Sequence, residues 1–464
     1  MIFFTLVVVG MRTHASWRTK KAFLLVSSYV FYAVWNPPFV LLLWFSTAVD
    51  WWLARRLAAT EHQPSRKALL CGSLLVNLGL LAFFKYGGFV LENVTLLLAR
   101  LGIDYQPPPL NIVLPVGISF YTFQTLSYTI DVYRQRVQPC SSFLDFALFV
   151  TFFPQLVAGP IVRASDFLPQ TATEPVATHA QVGWGLSLMV LGLFEKVVLA
   201  DGLLAPIVEA VYDSDLTPSP LASGTATLAF AGQIFCDFAG YSTIAIGASM
   251  VLGFWLPDNF RFPYAAIGFS DFWRRWHISL SSWLRDYLYV SLGGNRGAAL
   301  TTYRNLMLTM LLGGLWHGAS WNFVIWGGLH GLYLIAERVL NRALGAWHIW
   351  RTWLARVALC ALTFGGVCFA WVFFRAPSLQ RSLDILRGLL PDAERQVFVS
   401  QADVLITATV MAGLLTAHWM LRDSTLEHVT SRIPVWVRVP VLALMLLAIF
   451  LSPGEDRAFI YFQF

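Results

Sequence analysis

Nine histidines occur in the 464-residue chain, and an imidazole that takes and returns a proton near neutral pH is the commonest side chain for general acid–base work. His14, His62, His179 and His428 stand in polar loops and read as solvated. His348 and His418 lie beside Trp347 and Trp419 near the ends of apolar segments, where a ring can reach an interface. His277, His317 and His330 are surrounded by apolar residues. An ionisable residue in that setting marks a functional site by default. His317 is flanked by apolar turns and by Gly313, Gly314 and Gly318 in LTMLLGGLWHGASWNFVIWGG. On a continuous helix Gly313 (i−4) and Trp321 (i+4) share its face, so the small residues let another backbone or a slender acyl chain approach the ring. Spacing alone leaves a satisfied core histidine equally open. His330 follows in WGGLHG; on the same helix it lies ~20 Å further along and ~220° around, so the two rings cannot share a proton and His330 reads as structural.

His277 belongs to a different pattern, DFWRRWHISLSSWLRDYLY, residues 271–289. Trp273, Trp276, Leu280, Trp283 and Tyr287 recur at helical spacing as one aromatic stripe, with Arg274, Arg285 and Asp286 on other positions. The spacing predicts an amphipathic helix lying in, or dipping into, the cytoplasmic interface. Arg274, Arg275 and Arg285 then have two uses: contact with lipid headgroups, or capture of the phosphates of a soluble acyl donor, which guanidinium forks match.

Other chemistries fit poorly. No GxSxG, HExxH, P-loop or GxGxxG occurs in a suitable setting, and GGNRG at 293–297 reads as a turn. Asp237 and Asp286 offer no recognisable carboxylate pair for glycosidic chemistry. Cys71, Cys140, Cys236, Cys360 and Cys368 show neither CxxC nor zinc-finger spacing. The expected chemistry needs no metal and no cofactor.

The elements that position these residues must sit in lipid. Hydrophobic residues make up 57% and charged residues 12%, and mean hydropathy is +0.62. Ordinary soluble chains carry about 25% charge. This composition excludes a water-soluble multidomain protein, disorder and a disulfide-stapled scaffold. The net charge of +6 comes largely from basic runs between apolar stretches, the mark of cytoplasmic loops and not of a nucleic-acid surface. Apolar stretches at about 22–35, 38–54, 68–84, 112–130, 144–160, 182–200, 222–250, 303–338, 354–376, 404–421 and 436–452 predict about ten or eleven crossings with broken or re-entrant pieces. Basic residues before 22 and after 54 put both ends of that pair inside, with an outer turn at Asn36-Pro37-Pro38. The opening MIFFTLVVVG has neither a basic start nor a cleavage motif, and is shorter than a span. The fold class is therefore all-α and polytopic, with one membrane domain over 1–464.

LPVGISFYTFQTLSYTIDVYR (114–134), FFPQLVAGPIVR (152–163), FCDFAGYSTIAIG (235–247), NFRFPYAAIGFSDFWRRWHISLSSWLRDYLY (259–289) and LLGGLWHGASWNFVIWGGLHG (311–331) closely resemble the membrane-bound O-acyltransferase family. The likeness is strongest to its bacterial branch typified by alginate O-acetyltransferase. It runs from about 22 to 340, with core motifs at about 110–340; beyond that it is mainly one of hydropathy. The resemblance implies a helical core with re-entrant segments and a through-membrane cavity, a near-invariant histidine at His317 in the WHG motif, and a second signature position at His277. Relatives generally begin with a longer first hydrophobic segment.

The expected function is that of an inner-membrane O-acetyltransferase serving an exported polysaccharide. A cytoplasmic acyl thioester such as acetyl-CoA enters beside Arg274, Arg275, Arg285 and Asp286, with Trp316 and Trp321 lining the path. His317 acts as base and His277 positions the thioester. The resemblance also suggests a separate extracytoplasmic protein as acceptor. The competing reading is a transporter or flippase for a lipid-linked saccharide, using the same cavity without chemistry.

Overall fold

A computed structural model describes residues 2–108, 110, 112–345, 352–390, 399–452, 457, 459 and 460. No strand occurs among them. The apolar stretches all become helices, as lipid requires of any spanning backbone. Five are long and apolar enough to cross a membrane: Gln63–Arg100, Pro220–Val251, Trp321–Leu344, Trp353–Arg375 and Gln401–Leu421. The chain is a multi-pass membrane protein.

The helices group into two compact units. The first comprises 1–186 and 245–257. It holds α1 (Ile2–Met11), α2 (Trp17–Ala33), α3 (Phe39–Ala58), α4 (Gln63–Leu81), α5 (Gly87–Arg100), α6 (Ile118–Tyr133), α7 (Phe143–Thr151), α8 (Phe153–Leu156), α9 (Ala164–Phe167) and the start of α10 (His179–Leu193). The break at Asn36-Pro37-Pro38 falls between α2 and α3, as the prolines dictate. Polar side chains fasten this unit where lipid-like surroundings leave them no water. The buried Asp50 of α3 accepts from Ser73 Oγ (2.5 Å) and Asn77 Nδ2 (2.7 Å) of α4. An unpaired carboxylate there would cost several kcal/mol.

The second unit comprises 187–244 and 258–464. It contains α11 (Ala205–Tyr212), most of α12 (Pro220–Val251), α13 (Phe269–Trp273), α14 (Ile278–Trp283), α15 (Ala299–His317), α16 (Trp321–Leu344), α17 (Trp353–Arg375), α18 (Leu379–Gly388), α19 (Gln401–Leu421), α20 (Leu426–Arg432) and α21 (Val435–Leu451). Two expectations change here. The stretch 303–338 is not one helix: α15 stops at His317, Gly318 is extended, and α16 starts at Trp321. The two helices fold back as a hairpin whose crossing leaves room only for hydrogen. A Cβ on Gly314 would lie 2.2 Å from the Phe323 carbonyl, and one on Gly327 2.3 Å from that of Met310. Such small-residue crossings bring backbones together where no hydrophobic effect drives helices to associate.

The segment 271–289 is likewise not one amphipathic helix. It breaks into α13, a turn through His277, α14 and a π-helical stretch, Leu284–Tyr289. The stripe does not face lipid: Trp276, Leu280, Trp283 and Tyr287 are buried against protein. Trp276 packs on Phe260, Phe272 and Trp371 at 5.0–5.6 Å. Burial of large rings among neighbouring helices outweighs the anchoring that the periodicity alone suggests.

Candidate active site

His277 owes its position to an uncommon backbone. It caps α14 in the left-handed region, φ 44° and ψ 55°, where a non-glycine residue costs about 1–3 kcal/mol and survives only if its surroundings over-determine it. The over-determination comes from the run at 259–261. Ile278 N–H donates to the Asn259 carbonyl (2.9 Å), Ser279 Oγ to Asn259 Oδ1 (2.9 Å), and Arg261 N–H to the Arg275 carbonyl (2.9 Å). Asn259 Nδ2 in turn donates to Ser242 of α12 (3.1 Å). The turn thus directs the imidazole inward, fully buried, instead of along a lipid-facing helix.

His317 is the last residue of α15 and is buried. Its ring centroid stands 6.4 Å from that of His277. Trp316 lies against both, 5.0 Å from His317 and 5.9 Å from His277. Trp326 of α16 (5.0 Å) and Phe374 of α17 (5.2 Å) complete the wall around His317. Phe238 of α12 stands edge-on to His277 at 4.6 Å. Two imidazoles in a box of aromatic rings can take up, hold and return protons while the rings exclude water.

Trp321 does not share this site. Because the helix ends at His317, the i+4 relationship is lost, and Trp321 starts α16 with 56% of its surface exposed. His330 lies beyond Trp326, 4.8 Å ring to ring, between Trp273 (5.1 Å) and Tyr333 (5.7 Å). A hairpin replaces the continuous helix that would have separated it from His317, though Trp326 still stands between the rings. His418 accepts from the Tyr264 backbone N–H (3.3 Å), a satisfied core histidine. His348 falls outside the described residues.

A cleft of about 680 Å³ opens beside the His277 turn. Arg261, Arg274, Arg275, Arg285 and Arg422 line it, with Ser281, Ser282 and, deeper, Trp273, Thr309 and Met310. The guanidinium groups are not equivalent. Arg274 is exposed in the cleft. Arg275 is committed to the scaffold, bonding Asp271 (3.0 Å) and the Arg422 carbonyl (2.8 Å); Arg422 bonds Asp271 as well (3.2 Å). Asp286 is absent from the lining and pairs with Arg285 at 2.7 Å, so it orients that guanidinium. From the cleft, Trp273 leads to Trp326 (5.8 Å), and Trp326 to His317 (5.0 Å).

Sequence reasoning missed Trp326, Phe374, Phe238 and Asn259. Trp326 was within reach, nine residues after His317 and one turn before His330. Phe374 and Asn259 carry no local signal, since each meets its histidine only through tertiary packing.

The chain is similar to known proteins over the part that carries this site. The membrane-bound O-acyltransferase family model matches residues 138–383, which include both histidines and the arginine cleft's α13–α15 walls. A peptidoglycan O-acetyltransferase of Helicobacter pylori is 33% identical, covering 96% of this chain and 91% of its own. Probable alginate O-acetylases are similar at 40% in Pseudomonas aeruginosa (82% of this chain, 71% of the relative) and at 35% in Pseudomonas putida (100% and 98%). With a family model over more than half its length and end-to-end relatives above 30% identity, the chain belongs to the membrane-bound O-acyltransferase family and is an acyltransferase.

Proposed function

We propose that this acyltransferase moves an acetyl group from a cytoplasmic thioester across the bacterial inner membrane to a hydroxyl on the far side, for O-acetylation of an exported polysaccharide of the alginate type. The observation that carries the reading is the pair of buried imidazoles, His277 and His317, 6.4 Å apart. Two protonatable groups in one water-excluded box, within a chain of this family, supply a means of proton transfer.

In this mechanism the donor's phosphates rest on Arg274 and Arg285, while Arg275 holds the cleft wall. The acyl group passes Trp273 and Trp326 and brings its carbonyl between the histidines. His317 takes the proton from the acceptor hydroxyl as the oxygen attacks the carbonyl carbon. The C–S bond then breaks, and the proton on His317 passes to the departing thiolate, leaving ester and free thiol. His277 donates a hydrogen bond to the carbonyl oxygen as charge develops there, the type of stabilisation that such sites use most. A base of this kind contributes about 10²–10⁴ in rate.

The acceptor is expected to be presented by an extracytoplasmic partner protein, because threading a hydrated polymer into an aromatic box strands sugar hydroxyls at about 1–3 kcal/mol each. The test uses the purified full chain in lipid nanodiscs with acetyl-CoA. Thiol release and acetyl-ester formation that vanish in His317→Ala support the reading; equal thiol release by the variant removes it.

A further inference from the structure

Arg457, Phe459 and Ile460 lie far along the chain from both histidines, yet Phe459 and Ile460 pack on α12 at Phe238 and Asp237, and Phe238 meets His277. The Ile460 N–H donates to Asp237 Oδ2 (2.8 Å). The Phe459 ring meets Phe238 (5.6 Å) and Tyr241 (5.1 Å). Arg457 pairs with Glu209 of α11 (3.0 Å) and donates to the Asp201 carbonyl (2.8 Å). Asp237 also pairs with Lys196, which pairs with Asp201 (2.8 Å).

The Ile460, Lys196 and Phe459 contacts meet two adjacent residues of α12, Asp237 and Phe238. Asp237 is buried within a membrane-spanning helix, where a carboxylate is tolerated only when charge and hydrogen bonds compensate it. Lys196 and the Ile460 N–H supply that compensation, so the carboxylate ties together three parts of the chain. The next residue, Phe238, carries the tie to the site. Its ring stands between Phe459 (5.6 Å) and His277 (4.6 Å), while Trp316 bounds His277 at 5.9 Å. A chain of edge-on ring contacts, Phe459 to Phe238 to His277, therefore reaches the imidazole, and the ion-paired anchors hold its far end.

We propose that Phe459, anchored through Arg457 and the Ile460–Asp237 bond, is a positioning residue for His277: it holds Phe238 against the imidazole and fixes the direction in which that ring meets the acyl carbonyl. The proposal rests on the reading that His277 acts on the donor carbonyl. A side chain that only aims another acts on the chemical step, and a misplacement on the order of 1 Å is enough to cost ~10²-fold.

The experiment is a mutant cycle on the full chain in nanodiscs, measuring kcat and donor KM for acetyl transfer. Phe459→Ala is expected to lower kcat about tenfold or more while leaving donor KM within about twofold. Phe459→Leu, which keeps bulk behind Phe238, recovers most of the loss. In a His277→Ala background Phe459→Ala costs nothing further, since no hydrogen-bonding side chain is left to aim. An equal fractional loss in both backgrounds, or wild-type kcat in Phe459→Ala, overturns the proposal. If Phe459→Ala does not insert and fold, Arg457→Gln takes its place in the same cycle and is read by the same criterion. Wild-type turnover by His277→Ala is a different failure: it removes the role of His277 itself.

Discussion

His277 and His317 face each other at 6.4 Å although they arise by unrelated means, one from a left-handed turn pinned by Asn259 and the other from the end of a helix. Neither can be moved without disturbing Trp316, which touches both rings.

His317→Ala and His317→Gln are expected to lower kcat by about 10²–10⁴ with insertion unchanged. Acetyl-ester formation in nanodiscs checks this, with a melting profile as control for folding. Wild-type turnover in either folded variant would be fatal to the assignment.

His277→Asn should retain more activity than His277→Ala, because the amide N–H can still donate to the carbonyl oxygen. Asn259→Ala should mimic a partial loss at His277, since it removes the partner of Ser279 and Ser242 that holds the left-handed turn. Comparing kcat across the three variants decides the order; equal and complete loss in both His277 variants points to direct proton transfer by that ring.

Arg274→Gln and Arg285→Gln are expected to raise the donor KM several-fold with little change in kcat. Arg275→Gln should act differently. It removes the bonds from Arg275 to Asp271 and to the Arg422 carbonyl and lowers thermal stability before it affects KM. Steady-state titration of the donor alongside melting curves separates the two; indistinguishable behaviour would show that the three arginines serve one purpose.

Gly314→Ala is expected to cost about 1–3 kcal/mol in stability, as overpacking does, because its new methyl falls 2.2 Å from a carbonyl that cannot move aside. Gly365→Ala, with open space around its Cβ inside α17, serves as the control and is expected to leave stability unchanged or slightly raised. Yield and melting temperature of the two variants give the answer, and equal stability would mean the hairpin can part at its crossing.

Much of this architecture could be read from composition and apolar spacing, because in lipid the backbone has few alternatives to a helix. The apolar stretches at 222–250, 354–376 and 404–421 became α12, α17 and α19 with small shifts at their ends. The two breaks that make the site were not legible. Residues 271–289 hold helical spacing through His277, and the groups that bend them lie at 259–261. Likewise Gly318 is one glycine among several; its role shows only when a Cβ there would sit 2.0 Å from the Phe323 ring. The arginine cluster was visible as charge, but not its division of labour, since Arg275 depends on a carbonyl at Arg422. Phe374 and Phe459 come from the part of the chain where resemblance was weakest, and aromatic residues there carry no sign of which ring they will meet.

The hairpin of α15 and α16 has a further consequence, for the order of assembly. Gly314 and Gly327 meet across a link of three residues, so their crossing closes a short loop and loses little chain entropy. Other rings against His317 and His277 arrive over long separations: Phe238 from upstream, Phe374 from downstream, and Phe459, which backs Phe238, later still. During synthesis the hairpin can therefore form as soon as residue 344 has emerged, holding His317 on a finished framework while its box is still open on the side that Phe374 will close. Under the proposed mechanism, a product that ends before Phe374 has its proton acceptor in place without the enclosure that keeps water from it.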